Sequence, residues 1–247
     1  MNTLSKIKLL LISLVVLGVS GCVTPPTYVT KGEEFPSMYI EKPKSLLIMP
    51  PINLSTAAEA KDYYSTTVEM PIALHGYYTF PYQLTADVLK QQGVYDSELV
   101  YDIPLNKFYD YFGADAVLFT KIAKWDTAYT VLASTLTVSI DAEIKSTKTS
   151  EVLWEYNGTV VIDLSANGGG GGMAGLLINA IATAINTAAA DYTTYAKVAN
   201  GRFVGSIPYG PYHPLYLKDQ QMKVIQQRQN EKPMEKVAEK ASKEASE

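Results

Sequence analysis

TLTVSIDAEI, residues 135–144, alternates without a break. Leu136, Val138, Ile140, Ala142 and Ile144 fall on one side of an extended chain, and Thr135, Thr137, Ser139, Asp141 and Glu143 on the other. A period of two with one apolar side marks a strand of an antiparallel sheet, one face packed and the other in water. Upstream, Ala116 to Ala123 is mostly apolar; downstream, residues 152–163 put Trp154 and Tyr156 on one face, after a turn at Ser146 to Ser150. These three strands form a meander. Further upstream, Ser45-Leu46-Leu47-Ile48-Met49 is a continuous apolar run closed by Pro50-Pro51. That pattern belongs to a strand covered on both faces, as in parallel sheets.

Between these strands the sequence predicts helices. Thr56 and Glu59 have capping-box spacing and open a helix over about 57–69, which Pro71 stops. Residues 76–81 form a short strand, and 82–92 a helix with Leu84, Val88 and Leu89 inward and Gly93 as its end. Leu99-Val100-Tyr101 reads as a brief strand. Pro104 begins a helix with Leu105, Phe108 and Phe112 on one face and Gly113 as its stop. A parallel start followed by a meander gives an α/β fold, a mixed β-sheet flanked by helices. The glycine run 168–172 lacks the Lys-Ser/Thr ending of a phosphate loop and reads as a flexible linker. After it, residues 173–199 carry apolar positions at helical spacing and predict a long C-terminal helix, with Tyr192, Tyr195, Ala196 and Ala199 on the inward face and Thr194 and Lys197 opposite. Its small residues suit close packing, including against a second copy in a homodimer.

The ends of the chain read differently. Residues 1–21 have a basic start (Lys6, Lys8) and a short apolar run, then Val19-Ser20-Gly21 before Cys22. This resembles the bacterial lipoprotein signal with its lipobox. The resemblance implies that Cys22 carries a thioether-linked diacylglycerol and an N-acyl chain, and that it begins the processed protein. Val23 rather than Asp after the cysteine favours the outer membrane by the same analogy. Residues 22–44 contain Pro25, Pro26, Pro36 and Pro43 and no regular period, so they read as a flexible tether reaching up to roughly 70 Å. The domain proper is expected over 45–217. Residues 218–247 alternate Lys/Arg with Asp/Glu and read as a disordered or solvated helical tail.

Composition narrows the chemistry. One cysteine excludes a disulfide framework and a cysteine zinc site. A net charge of −4 argues against nucleic acid as a partner. His75 and His213 lack an evident nucleophile, and neither a nucleophile elbow nor a paired-carboxylate arrangement stands out, so no catalytic residue and no metal or cofactor is assigned. Asp115 is expected to bind backbone donors in a turn. The 18 tyrosines are conspicuous. Rigid amphipathic rings suit protein interfaces, which makes Tyr77, Tyr78, Tyr209, Tyr212, His213 and Tyr216 the candidate binding residues.

PIALHGYYTFP at 71–81, FGADAVL at 112–118, EVLW at 151–154 and YGPYHP at 209–214 occur in that order. Together with the lipobox they resemble a family of bacterial lipoproteins of unknown function, known from a neisserial surface-antigen candidate, over residues up to about 217. The resemblance implies a fold similar to the TolB N-terminal domain and the curli-secretion lipoprotein. It also implies a non-enzymatic role in envelope assembly or transport: an outer-membrane lipoprotein facing the periplasm, held to the membrane by lipid and working with other envelope proteins such as neighbouring lipoproteins. The alternative it suggests is an oligomeric ring or pore component.

Overall fold

The computed structural model describes residues 26–129, 134–163 and 192–227. The alternating segment lies within β6 (Ser134–Ser146), between β5 (Ala116–Tyr129) and β7 (Val152–Asp163), and pairs antiparallel with both. Leu136, Val138, Ile140, Ala142 and Ile144 are all buried, at 0 to 6% exposure, as the alternation requires. On the parallel side, β2 (Ser45–Ile48) lies between β5 and the short β4 (Tyr78–Thr79), parallel to both. A two-residue strand, β3 (Ile52–Asn53), continues beside β5, so the sheet order is β4-β2-β5-β6-β7.

Helices cover both faces where the sheet is parallel, which explains the unbroken apolar run of β2. Leu46 and Ile48 join one core with Tyr64 and Val68, from α3 (Ala60–Thr67) and its end, Ile72 from α4 (Glu69–Leu74), and Tyr195, Ala199 and Phe203 from α7 (Tyr192–Val204). Leu47 and Met49 join the other core with Leu89 from α5 (Tyr82–Gln91), Val100, and Phe108 from α6 (Leu105–Phe112). Gly113 ends α6 with φ of +68°, a left-handed turn that favours glycine. Asp115 then accepts hydrogen bonds from the Lys44 and Ser45 amides at 3.0 and 3.3 Å, tying the start of β2 to that of β5.

Several local expectations are overturned. Leu99, Val100 and Tyr101 lie in a 3-10 helix, Ser97–Asp102, because no neighbouring strand pairs with them there. Thr56 and Glu59 form no capping box, and α3 begins at Ala60 without a side-chain cap. Asn53 organises the preceding loop instead, donating to the Ala57 carbonyl at 2.7 Å. Pro71 does not stop a helix. It lies in the first turn of α4, where its missing N–H has no helical partner to lose. In α5 the buried positions are Thr85 and Leu89, while Leu84 faces solvent.

The domain boundaries also move. Residues 28–41 are not a tether. They form β1 (Tyr28–Thr30), α1 (Lys31–Glu34) and α2 (Pro36–Glu41), with Phe35 and Met38 buried in the main core. A reciprocal capping box does exist here, between Thr30 and Glu33. Residues 218–227 are not a solvated tail either. β8 (Lys223–Ile225) pairs antiparallel with β1, and Asp219, Val224 and Gln227 are buried. Elements of three to six residues are too short to show a period, and their partners lie almost the whole chain away. The body therefore runs from about 27 to 227. α7 buries Tyr195, Ala196 and Ala199 as expected and continues to Val204. Residues 1–25, the glycine run 168–172, most of the expected long helix (173–191) and residues beyond 227 lie outside the described residues.

Phe203 is fully buried between Tyr64, Trp154 and Tyr156, whereas Leu84 is 58% exposed. Phe203→Ala is expected to cost about 3–5 kcal/mol in chemical denaturation, and Leu84→Ala less than about 0.5 kcal/mol. Equal effects would contradict the assigned faces.

Candidate functional site

α4 ends at Leu74 and the chain turns through His75, Gly76 and Tyr77 into β4. After α7, Ser206 to His213 returns across this turn. The two segments meet backbone to backbone: Gly210 N–H donates to His75 O, and Tyr212 N–H to Gly76 O, both at 3.0 Å. Both glycines are required by the approach. Gly76 has φ of +91°, and a Cβ on Gly210 would lie 2.2 Å from the Gly76 oxygen.

A buried polar cluster seals the junction. The Ile207 carbonyl accepts from Lys31 Nζ and from His75 Nε2, each at 2.7 Å. A carbonyl only accepts, so His75 carries its proton on Nε2. Lys31 Nζ also lies 3.6 Å from Asp219 Oδ2, with both side chains almost wholly buried. Asp219 accepts further bonds from Tyr39 Oη at 3.1 Å and the Tyr209 amide at 2.9 Å. The rings of His75, Tyr209 and His213 stack, at 4.3 Å between the first two and 3.8 Å between the last two. Burial lowers the Lys31 pKa against the opposing pull of Asp219. Burial likewise drives His75 down to about 4, helped by the positive charge of Lys31 and the proximity of His213, against the hydrogen bond to Ile207 and the charge of Asp219.

The structure divides the candidate residues. Tyr77, Tyr209 and His213 come together here, but Tyr77 is a core residue whose hydroxyl donates to Pro208 O at 2.7 Å, not a contact surface. Tyr78, the next residue on β4, is exposed and packs edge-on against Phe80. One ring is buried and the other exposed, so this pair does not form a shared surface. Tyr212 is 69% exposed, and Tyr216 is half-buried. His213 Nδ1 accepts from the Leu215 amide at 3.1 Å. Both histidines thus hold backbone. Cys22 lies outside the described residues.

Two concave regions escaped the sequence reading. On the open sheet face a cleft of about 270 Å³ is lined by Tyr101, Lys121, Asp141, Glu143, Glu155 and Gln227. Asn157 Nδ2 donates to Asp141 Oδ1 at 2.6 Å, and Lys121 lies over the Tyr101 ring. Its polar residues had read as a solvated face. The second is a groove of about 580 Å³ beside β7, bordered by Pro26, Val161, Arg202, Lys223 and Ile225. Among the described residues no set of three His, Cys, Asp or Glu side chains could hold a metal ion, and no helix is long and apolar enough to cross a membrane.

The folded-state pKa of His75 lies below its unfolded value near 6.5. Its neutral form stabilises the fold fully above pH 6.5, and that contribution is lost as the pH falls toward 4. A melting-temperature series is expected to decline across this window, and to decline less in His75→Gln, whose amide can still donate to Ile207. Lys31→Ala, which leaves Asp219 buried without its cation, is expected to cost about 3–5 kcal/mol in denaturant titrations at neutral pH.

Residues 34–211 match the family model described as "Putative lipoprotein GNA1162-like". The chain is 29% identical over 178 residues to the lipoprotein so described, NMB1124/NMB1162 of Neisseria meningitidis serogroup B (strain ATCC BAA-335 / MC58), covering 71% of this chain and 80% of that one. The crystal structure of lipoprotein GNA1162 from Neisseria meningitidis superposes with a TM-score of 0.49 at 27% identity, over 58% of this chain and 98% of the other. The LpoB C-terminal domain from Salmonella enterica superposes with a TM-score of 0.33 at 17% identity, over 53% and 95%. With its family signature spanning the sheet, both cores and the turn at Gly76, the chain belongs to the GNA1162-like lipoprotein family.

Proposed function

We propose that this chain is an outer-membrane lipoprotein, acylated at Cys22 and facing the periplasm, that serves as a non-enzymatic binding or accessory subunit of an envelope assembly or transport complex. The observation that carries the reading is positional. The single cysteine follows Val19-Ser20-Gly21 and stands four residues before Pro26, where the described body begins. Two or three acyl chains hold a water-soluble body stably where one chain alone does not. The net charge of −4 gives the whole protein no general attraction to anionic lipid, so the acyl groups supply the anchorage.

A pore or ring built from β6 is less well supported. One face of β6 fills the core and the other presents Thr135, Thr137, Ser139, Asp141 and Glu143, so neither offers an apolar band to lipid. For a partner protein, Tyr212 and Leu215 give an exposed apolar projection on a segment fixed by the Gly76–Gly210 junction.

Labelled palmitate is expected to enter the wild-type protein and not Cys22→Ser, which should appear in the soluble periplasmic fraction. Retention of Cys22→Ser in the membrane would contradict the reading. A photo-crosslinking residue at Tyr212 is expected to give a discrete adduct in cells, and one at Leu84 none.

A further inference from the structure

The groove beside β7 includes Pro26, the first described residue. Pro26 borders it together with Val161, Arg202, Lys223 and Ile225. The β1–β8 register places Tyr28 opposite Ile225 and Thr30 opposite Lys223. Directly opposed residues of an antiparallel pair lie on one face of the ribbon. The intervening Val224 is buried and Val29 packs on the core, so Tyr28, Lys223 and Ile225 all point outward. Tyr28 is 59% exposed, Val161 61% and Ile225 42%. Among the described residues, those lining the groove include two cations, Arg202 and Lys223, and no carboxylate, although acidic residues outnumber basic ones in the whole chain.

Three residues, Val23, Thr24 and Pro25, separate Cys22 from Pro26, and the four Cα steps reach at most about 14 Å. A diacylglycerol on Cys22 sits at headgroup level. The rim at Pro26 is therefore held within that distance of the bilayer, whatever the orientation of the rest. An aromatic ring, two aliphatic side chains and two long cationic ones form the combination that settles at a membrane interface: the rings and aliphatics enter the headgroup layer, and the cations meet phosphate.

We propose that the face made by the outer side of the β1–β8 ribbon, the edge of β7 around Val161 and Arg202 on α7 is the membrane-apposed surface of the protein, and that its partner is a phospholipid headgroup layer. This inference rests on the acylation of Cys22 proposed above. A stiff attachment follows. The body lies directly on the membrane in one orientation, and its opposite surfaces are presented to the periplasm.

The test uses the full acylated protein in vesicles of phosphatidylethanolamine and phosphatidylglycerol. Acylated Cys22 has no free thiol, so Tyr28→Cys, Val161→Cys, Ile225→Cys and Leu84→Cys each give a single site for a fluorophore. Flotation with the vesicles measures anchorage, and quenching by lipids spin-labelled near the headgroup measures apposition. All four variants are expected to float. Labels at 28, 161 and 225 are expected to be quenched at least threefold more than the label at 84. Arg202→Glu with Lys223→Glu is expected to halve that difference without affecting flotation. Equal weak quenching at all four sites in floating protein would overturn the inference and leave anchorage standing. Labels at 161 and 225 shielded from both lipid and aqueous iodide would overturn it in favour of another segment of this chain filling the groove. Failure to float would overturn both readings.

Discussion

Lys31 and Asp219 come from opposite ends of the chain and meet in an interior that excludes water. Burying two charges is costly and is offset only when the remaining donors and acceptors are satisfied. Here they are. Lys31 also reaches the Ile207 carbonyl, and Asp219 also holds Tyr39 and the Tyr209 amide. The pair fixes α1 against the loop after α7 and so sets the register of β1 on β8. It also places His75 next to a fixed positive charge, since both share one carbonyl. Burial keeps that histidine neutral, and the Lys31 charge adds to the effect.

With the acylation proposed at Cys22, the closure would set how the body meets the membrane. A long tether would let the domain search the periplasm at a distance. A body whose first strand begins at Tyr28 leaves little slack after Cys22. On that proposal orientation is a structural property, with Pro26, the β7 groove and the β1–β8 ribbon on one side.

The sheet was legible because its signals are local. β6 announces itself by strict alternation, β2 by a run covered on both faces, and Gly113 and Asp115 by the turn chemistry they supply. The closure was not legible. Lys31 and Asp219 look like ordinary surface charges in sequence, and β1 and β8 are three residues each. Their meaning depends on a contact between residues nearly two hundred positions apart. Thr30 and Glu33 did carry a readable signal, a capping box, which the neighbouring prolines masked. The tyrosine surface failed in part for a simpler reason: Tyr77, at the turn into β4, is buried in the core, whereas Tyr78, the first residue of β4, is exposed.

Amide hydrogen exchange on the acylated protein tests the central claim most directly. The amides of Lys31, Gly32, Gln226 and Gln227 donate to Met222, Gln220, Thr27 and Glu34, across the closure. The account predicts that they exchange slowly and together, protected at least a hundredfold over an unstructured chain, and that Lys31→Ala releases them as a group. Exchange at unstructured rates in the wild-type protein, with β5 and β6 still protected, would mean that the Lys31–Asp219 closure does not form.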